Sequence, residues 1–282
     1  MSAPTSPSAS EVRTERIAAS TVEAYRGTFA AVDPALADGD VLPAGWEGVF
    51  FPFDAALADL RADGTPARDG IIPEIDLPRR MYAGETTEFL RPIRVGDDVT
   101  RTASLGSIVE KNGARGRLVF VDVEREYAVG GETAVSTVWH DVFLEAADPD
   151  APARTPRPDP AVVAEADWQE ELTLDARQLF RFSALTFNTH LIHYDRAWAR
   201  DVEGLPDLLV HGPLTRILLM DAARRNTPGR VPVRLDVRAT APVLVDRPLR
   251  IVGRTTGDTT RVTAVDSDDV VLATADITFR IA

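Results

Sequence analysis

Five prolines fall within twelve residues, at Pro149, Pro152, Pro156, Pro158 and Pro160, and they divide the chain. Proline removes a backbone donor and fixes φ, so such a run blocks helix and sheet ladders and favours extended polyproline structure. Residues 147–168 are therefore expected to form a semi-rigid linker between two flanks. In 282 residues that leaves two bodies, each long enough to bury a core: 11–146 and 169–282, with residues 1–10, rich in Ser, Ala and Pro, as a disordered tail.

The flanks share a grammar. The first opens with an expected helix over Glu11 to Ala30, where Ile17, Val22, Tyr25 and Phe29 can share a face, and a short helix near Asp54 to Leu60. Strands are expected at Thr86–Ile93, Val99–Val109, Leu118–Tyr127 and Glu132–Glu145. In the third of these Val119, Val121 and Val123 alternate with Phe120, Asp122 and Glu124. The second flank has expected helices at Asp175–Leu185 and Pro213–Arg225. Pro213 suits a first helical position, and Asn226-Thr-Pro-Gly suits an end. Strands follow at Val231–Val245, Leu249–Thr255, Thr259–Asp266 and Val270–Ile281. Each half is helix first and then antiparallel strands, an α+β unit used twice.

Composition removes several chemistries. With no Cys, disulfides, thiol nucleophiles and Cys-based zinc sites are excluded. Lys111 is the sole lysine, so any Schiff base would have to form there. A net charge of −13 argues against nucleic-acid binding as the main role. No apolar run reaches the ~18 residues of a membrane span, and the first residues lack the basic and apolar regions of a signal peptide. Cytoplasmic location is the default expectation.

Three of the four histidines lie close together, in Phe180-Arg-Phe-Ser-Ala-Leu-Thr-Phe-Asn-Thr-His-Leu-Ile-His-Tyr-Asp195 and Leu208-Leu-Val-His-Gly-Pro-Leu214. They are His190, His193 and His211; His140, in an expected strand, reads as structural. His190-x-x-His193 has zinc-like spacing, but a bare HxxH without a following Glu is a weak match, and no metal is assigned. Ser183 lies inside an expected helix without a G-x-S-x-G elbow. Neither a P-loop nor G-x-G-x-x-G is present.

These segments resemble the MaoC-type hydratase/dehydratases of the hot-dog fold. Within them they resemble the branch that contains itaconyl-CoA and mesaconyl-CoA hydratases and fungal mitochondrial 3-hydroxyacyl-thioester dehydratases. Leu77-Pro-Arg-Arg-Met-Tyr-Ala-Gly84 and Gly113-Ala-Arg-Gly-Arg-Leu-Val-Phe120 resemble that branch's degenerate N-terminal unit, so the likeness runs from about Leu42 to Ile281. It implies a tandem (double) hot-dog, each half a curved antiparallel sheet wrapped around a helix, with the second half catalytic. Aligned on the last histidine, His193 takes the catalytic position, Asn188 stands where the broad group has Asp, and His190 stands where it has Asn.

The implied activity is reversible addition of water to a 2-enoyl thioester, carried on coenzyme A or acyl carrier protein. Coenzyme A would enter only as part of the substrate, with no other cofactor. Histidine can move the proton near neutral pH. Asn188 can orient water but cannot act as a base. The Gly212 amide, at a helix start, can hold the enolate oxygen. His190, Asp195, His211 and Arg181 are further candidates for substrate contact, with Asp195 and His211 also readable as turn and cap residues. Leu191 stands where the branch pattern has Arg, which counts against a dicarboxylic substrate; Arg79, Arg80 and Arg200 are alternative anion partners. A non-catalytic acyl-thioester binding or assembly subunit and a hot-dog thioesterase are the competing readings, and homodimerisation is a possibility this fold raises.

Overall fold

The computed structural model describes residues 10–66, 71–113, 116–146 and 157–281. Nearly all of the expected tail and residues 147–156 of the expected linker lie outside them.

The described residues open on a strand where a helix was expected. β1 (Ser10–Arg16) runs antiparallel to β3 (Asp98–Gly113), with Arg13 opposite Arg101. Half-buried Glu11, Arg13 and Glu15 alternate with exposed neighbours, a period of two in burial that its nearly all-polar residues do not display. Arg101 holds Glu11 at 2.7 Å, Glu15 accepts from the Phe51 amide, and Arg13 donates to the Pro52 carbonyl. The helix, α1 (Ala19–Phe29), starts later and buries Val22 and Tyr25. The short helix expected near Asp54 shrinks to a 3₁₀ turn at Leu57–Asp59, and another forms at Trp46–Val49.

β2 (Arg79–Phe89), β4 (Gly116–Val129) and β5 (Glu132–Leu144) complete the first set of strands. β2 ends before the expected Ile93 because Pro92 cannot donate to a ladder. Beyond the prolines, Pro160 opens a short helix, α2 (Pro160–Ala164), inside the segment expected to be a linker. Then come β6 (Trp168–Thr173), α3 (Ala176–Thr186), α4 (Gly212–Asn226), β7 (Arg230–Ala239), β8 (Pro248–Thr256), β9 (Thr259–Val265) and β10 (Val271–Ile281). α3 begins with a capping box: Asp175 accepts from the amides of Arg177 and Gln178, and the Gln178 side chain returns a bond to the Asp175 amide.

The ten strands form one sheet in the order β1-β3-β4-β5-β2-β7-β10-β9-β8-β6. Five strands of the first half are mirrored by five of the second, and β2–β7 is the seam. There Thr86 pairs with Asp236 both in register and through its hydroxyl at 2.9 Å. The seam is close: a Cβ on Gly84 would lie 2.1 Å from the Val237 carbonyl oxygen.

α4 is buried on all sides from Leu214 to Ala223, as a helix enclosed by a sheet must be. Two of its buried residues are charged and both reach into the first half. Arg216 bonds Glu47 at 3.2 Å and the Gly45 carbonyl at 3.1 Å, with Glu85 at 3.5 Å. Asp221 accepts from Trp46 Nε1 at 2.8 Å and Tyr25 Oη at 3.1 Å. Those bonds clamp α4, and so its N-terminus, against the first half. No helix among the described residues is long and apolar enough to cross a membrane.

Candidate active site

The site is built where α3 ends. Phe187 takes a left-handed conformation (φ 48°, ψ 38°) that stops the helix. Asn188 Oδ1 then accepts from the His190 amide at 3.0 Å, closing a tight turn. A 3₁₀ turn over Leu191–His193 follows, pinned from the first half: the Leu191 amide donates to the Asp63 carbonyl at 2.8 Å, and the Thr189 hydroxyl to the Gly64 carbonyl at 2.7 Å. The segment before α4 lies alongside, with the Leu209 amide donating to the Ile192 carbonyl at 3.0 Å.

This sets the His193 ring. The side chain is 5% exposed, and Nδ1 lies 2.7 Å from the Leu209 carbonyl. A carbonyl oxygen only accepts, so hydrogen-bond accounting puts the proton on Nδ1 and leaves Nε2 bare. Burial, together with the neighbouring His190, lowers the His193 pKa to about 3, against a weaker upward pull from the Leu209 bond. His190 is lowered to about 3 as well, by burial and by the positive charges of Arg80, Arg61 and Arg79. Burial also pushes His211 well below its ordinary value. All three rings are neutral at pH 7.

His193 borders a cavity of about 580 Å³ that takes its walls from both halves: Tyr82 and Trp139 on one side, His190, Gly212 and Pro213 on the other. α4 starts at Gly212, so the Gly212 amide is one of the first donors that no carbonyl of the helix satisfies. The position is tight, since a Cβ there would lie 2.3 Å from Tyr82 Cδ1.

Four of the expected site residues, His193, Asn188, Gly212 and His190, therefore meet at one cavity. The other three do not. Asp195 accepts from the Trp198 amide at 3.0 Å, where the turn of Trp198–Val202 begins. Arg181 is exposed on α3 and donates to Thr28 Oγ1 at 2.9 Å. His211 lies behind His193 rather than on the cavity wall. Asp195 and Arg181 are bonded to the partners named and His211 is stacked on His193, so none of the three lines this cavity.

Of the arginines expected as anion partners, Arg79 pairs with Glu203 at 2.6 Å, and Arg200 with Asp207 at 3.2 Å. Arg80 does border the cavity, bonded to Asp141 at 2.6 Å. Leu191 does not border it. His140 lies 2.7 Å from Asp122, away from the cavity. No three His, Asp or Glu side chains converge as a metal site among the described residues. Tyr82 and Trp139, whose rings meet edge to face at 4.7 Å, were not singled out from the sequence. Tyr82 lay within the quoted Leu77–Gly84 segment, and only the β2–β7 pairing brings it to α4.

Known proteins resemble this chain in sequence and in fold. The model of the family hydroxyacyl-thioester dehydratase type 2 covers residues 45–245. The chain belongs to that family. It is 38% identical over 241 residues to a mesaconyl-C(4)-CoA hydratase of Chloroflexus aurantiacus, covering 86% of this chain and 82% of the relative. A solved MaoC-like dehydratase superposes over 98% of each chain with a TM-score of 0.73 and 20% identity. A conserved Mycobacterium tuberculosis protein described as a double hotdog superposes over 96% of each chain with a TM-score of 0.61 and 14% identity. The fold is the double hot-dog, and the family is one of hydro-lyases acting on acyl thioesters.

Proposed function

We propose that this chain interconverts a 2-enoyl thioester and its 3-hydroxy form at the cavity bordered by His193 and Gly212. One observation carries the reading: a buried, neutral histidine whose Nδ1–H is tied to a carbonyl, leaving Nε2 basic, borders a cavity that the first residue of a helix also lines.

In the hydration direction, water gives a proton to His193 Nε2 as its oxygen bonds to C3. The electron pair of the C2–C3 double bond moves onto the thioester carbonyl, and the Gly212 N–H stabilises the resulting enolate oxygen. The imidazolium then returns the proton to C2. The Asn188 amide NH₂ orients the water while its oxygen keeps the turn closed. Dehydration retraces the same steps. Every step falls to a side chain or amide of this chain, and coenzyme A or an acyl carrier protein enters only as the thioester's carrier.

The cavity wall is mostly apolar, with Phe53, Met81, Phe120, Trp139 and Val142 among its residues, which suits an acyl chain. The test is a panel of enoyl and 3-hydroxyacyl thioesters on both carriers, including a dicarboxylic member such as the mesaconyl thioester, with products identified by mass. A gain or loss of water is expected. Release of free thiol instead would make the protein a thioesterase, and tight binding without turnover would make it a non-catalytic subunit.

A further inference from the structure

His211 is the most deeply buried histidine, with no exposed surface. Its ring lies flat against the His193 ring, with centroids 3.6 Å apart and planes 20° apart. Phe182 packs against His211 with centroids 4.8 Å apart. The stack is anchored at one edge, where His211 Nε2 lies 2.9 Å from Ser183 Oγ on α3. Its Nδ1 is buried without a protein partner.

The missing partner decides the tautomer. A buried donor without an acceptor is rarer than a buried acceptor without a donor. His211 therefore carries its proton on Nε2 and donates to Ser183, leaving Nδ1 as a bare lone pair. His193 is held in two independent ways, by its Nδ1 bond to Leu209 along an edge and by His211 against one face. His190 meets it edge on, with centroids 5.5 Å apart. The titratable neighbour of the pair is His190, Ser183 is its polar neighbour, and Arg61, Arg79 and Arg80 act on His190 from the first half.

We propose that His211 is a positioning residue: its flat neutral ring, held by Ser183, fixes the plane of His193 so that Nε2 faces the cavity, and it supports the cation that forms there during turnover. This rests on the reading of His193 as the proton carrier. The support is of the cation–π kind, strongest where water is excluded.

The experiment compares His211→Phe with His211→Leu. Both fill the space; only Phe offers a flat face. The Leu variant is expected to lose about 5- to 30-fold in kcat, the range of one desolvated cation–π contact, while the Phe variant stays much closer to wild type. KM should hold in both, because His211 does not touch the cavity. The acid limb of kcat/KM should move to lower pH in the Leu variant than in the Phe variant. Equal kcat and equal acid limbs for the two would overturn the proposal, since mere space filling predicts that result. Should the Leu variant fail to fold, proton NMR of the wild type serves: a ring-current upfield shift of the His193 ring protons supports the stack, and its absence refutes it. Loss of the parent reading is seen separately, as unchanged turnover in a His193 variant.

Discussion

Gly212→Ala perturbs the proposed oxyanion donor without adding a functional group. The new Cβ would lie 2.3 Å from Tyr82 Cδ1, 2.8 Å from Cγ and 3.0 Å from Cβ. Ordinary carbon contacts lie at about 3.5 Å or more, so Tyr82 and the start of α4 must separate by about 1 Å. Tyr82 cannot swing freely, because its ring meets Trp139 at 4.7 Å. α4 cannot slide freely either, because buried Arg216 and Asp221 tie it to the first half. Overpacking of this kind costs about 1–3 kcal/mol of stability. A displacement of about 1 Å at a reacting centre can cost on the order of 100-fold in rate, and loss of one oxyanion donor about 100- to 1000-fold. The variant should therefore fold, melt several degrees lower, and lose about 100-fold or more in kcat. Enoyl-thioester absorbance follows the rate and calorimetry the melting. A folded Gly212→Ala protein with wild-type kcat would refute the placement of the oxyanion at this amide.

Replacing Arg216 with Met leaves the buried carboxylates of Glu47 and Glu85 without their cation, and should destabilise by about 3–5 kcal/mol; a urea midpoint close to wild type would contradict this. The neutral histidines make stability depend on pH. In His190 and His193 the folded pKa is about 3 against 6.5 unfolded, so below about pH 6.5 the unfolded state binds protons that the folded state does not. Stability should be full above that pH and fall as the pH drops toward 3, a slope that denaturation midpoints at stepped pH should show and that weakens when His190 is replaced by Gln. Asn188→Asp keeps an acceptor for the His190 amide and should fold like wild type, whereas Asn188→Ala loses the turn bond and should cost about 1 kcal/mol together with turnover, both readable from one purified pair.

Local chemistry was legible where one short segment decides the structure. Asp175 and Pro213 mark helix starts that stand within one residue of their expected places. The cluster of Asn188, His190, His193 and Gly212 lies in two neighbouring segments and meets at one cavity. What the sequence withheld depends on pairing at a distance. β1 is a strand because β3 and the loop at Phe51 take its bonds, and helical spacing of its apolar neighbours could not reveal that. The β2–β7 seam brings Tyr82 over Gly212, although they are far apart in the chain. Arg181 and Asp195 are close to the motif in sequence, yet Arg181 lies on the exposed face of α3 and bonds Thr28, and Asp195 is taken by the Trp198 amide.

In the proposed mechanism His193 Nε2 carries the proton. The most direct measurement is the hydration rate of His193→Gln against wild type, with circular dichroism confirming the fold; Gln can still donate to the Leu209 carbonyl but has no titratable nitrogen. General acid–base catalysis supplies about 100- to 10000-fold, so kcat should fall at least about 100-fold with KM little changed. Turnover at the wild-type rate in the folded variant would contradict the account.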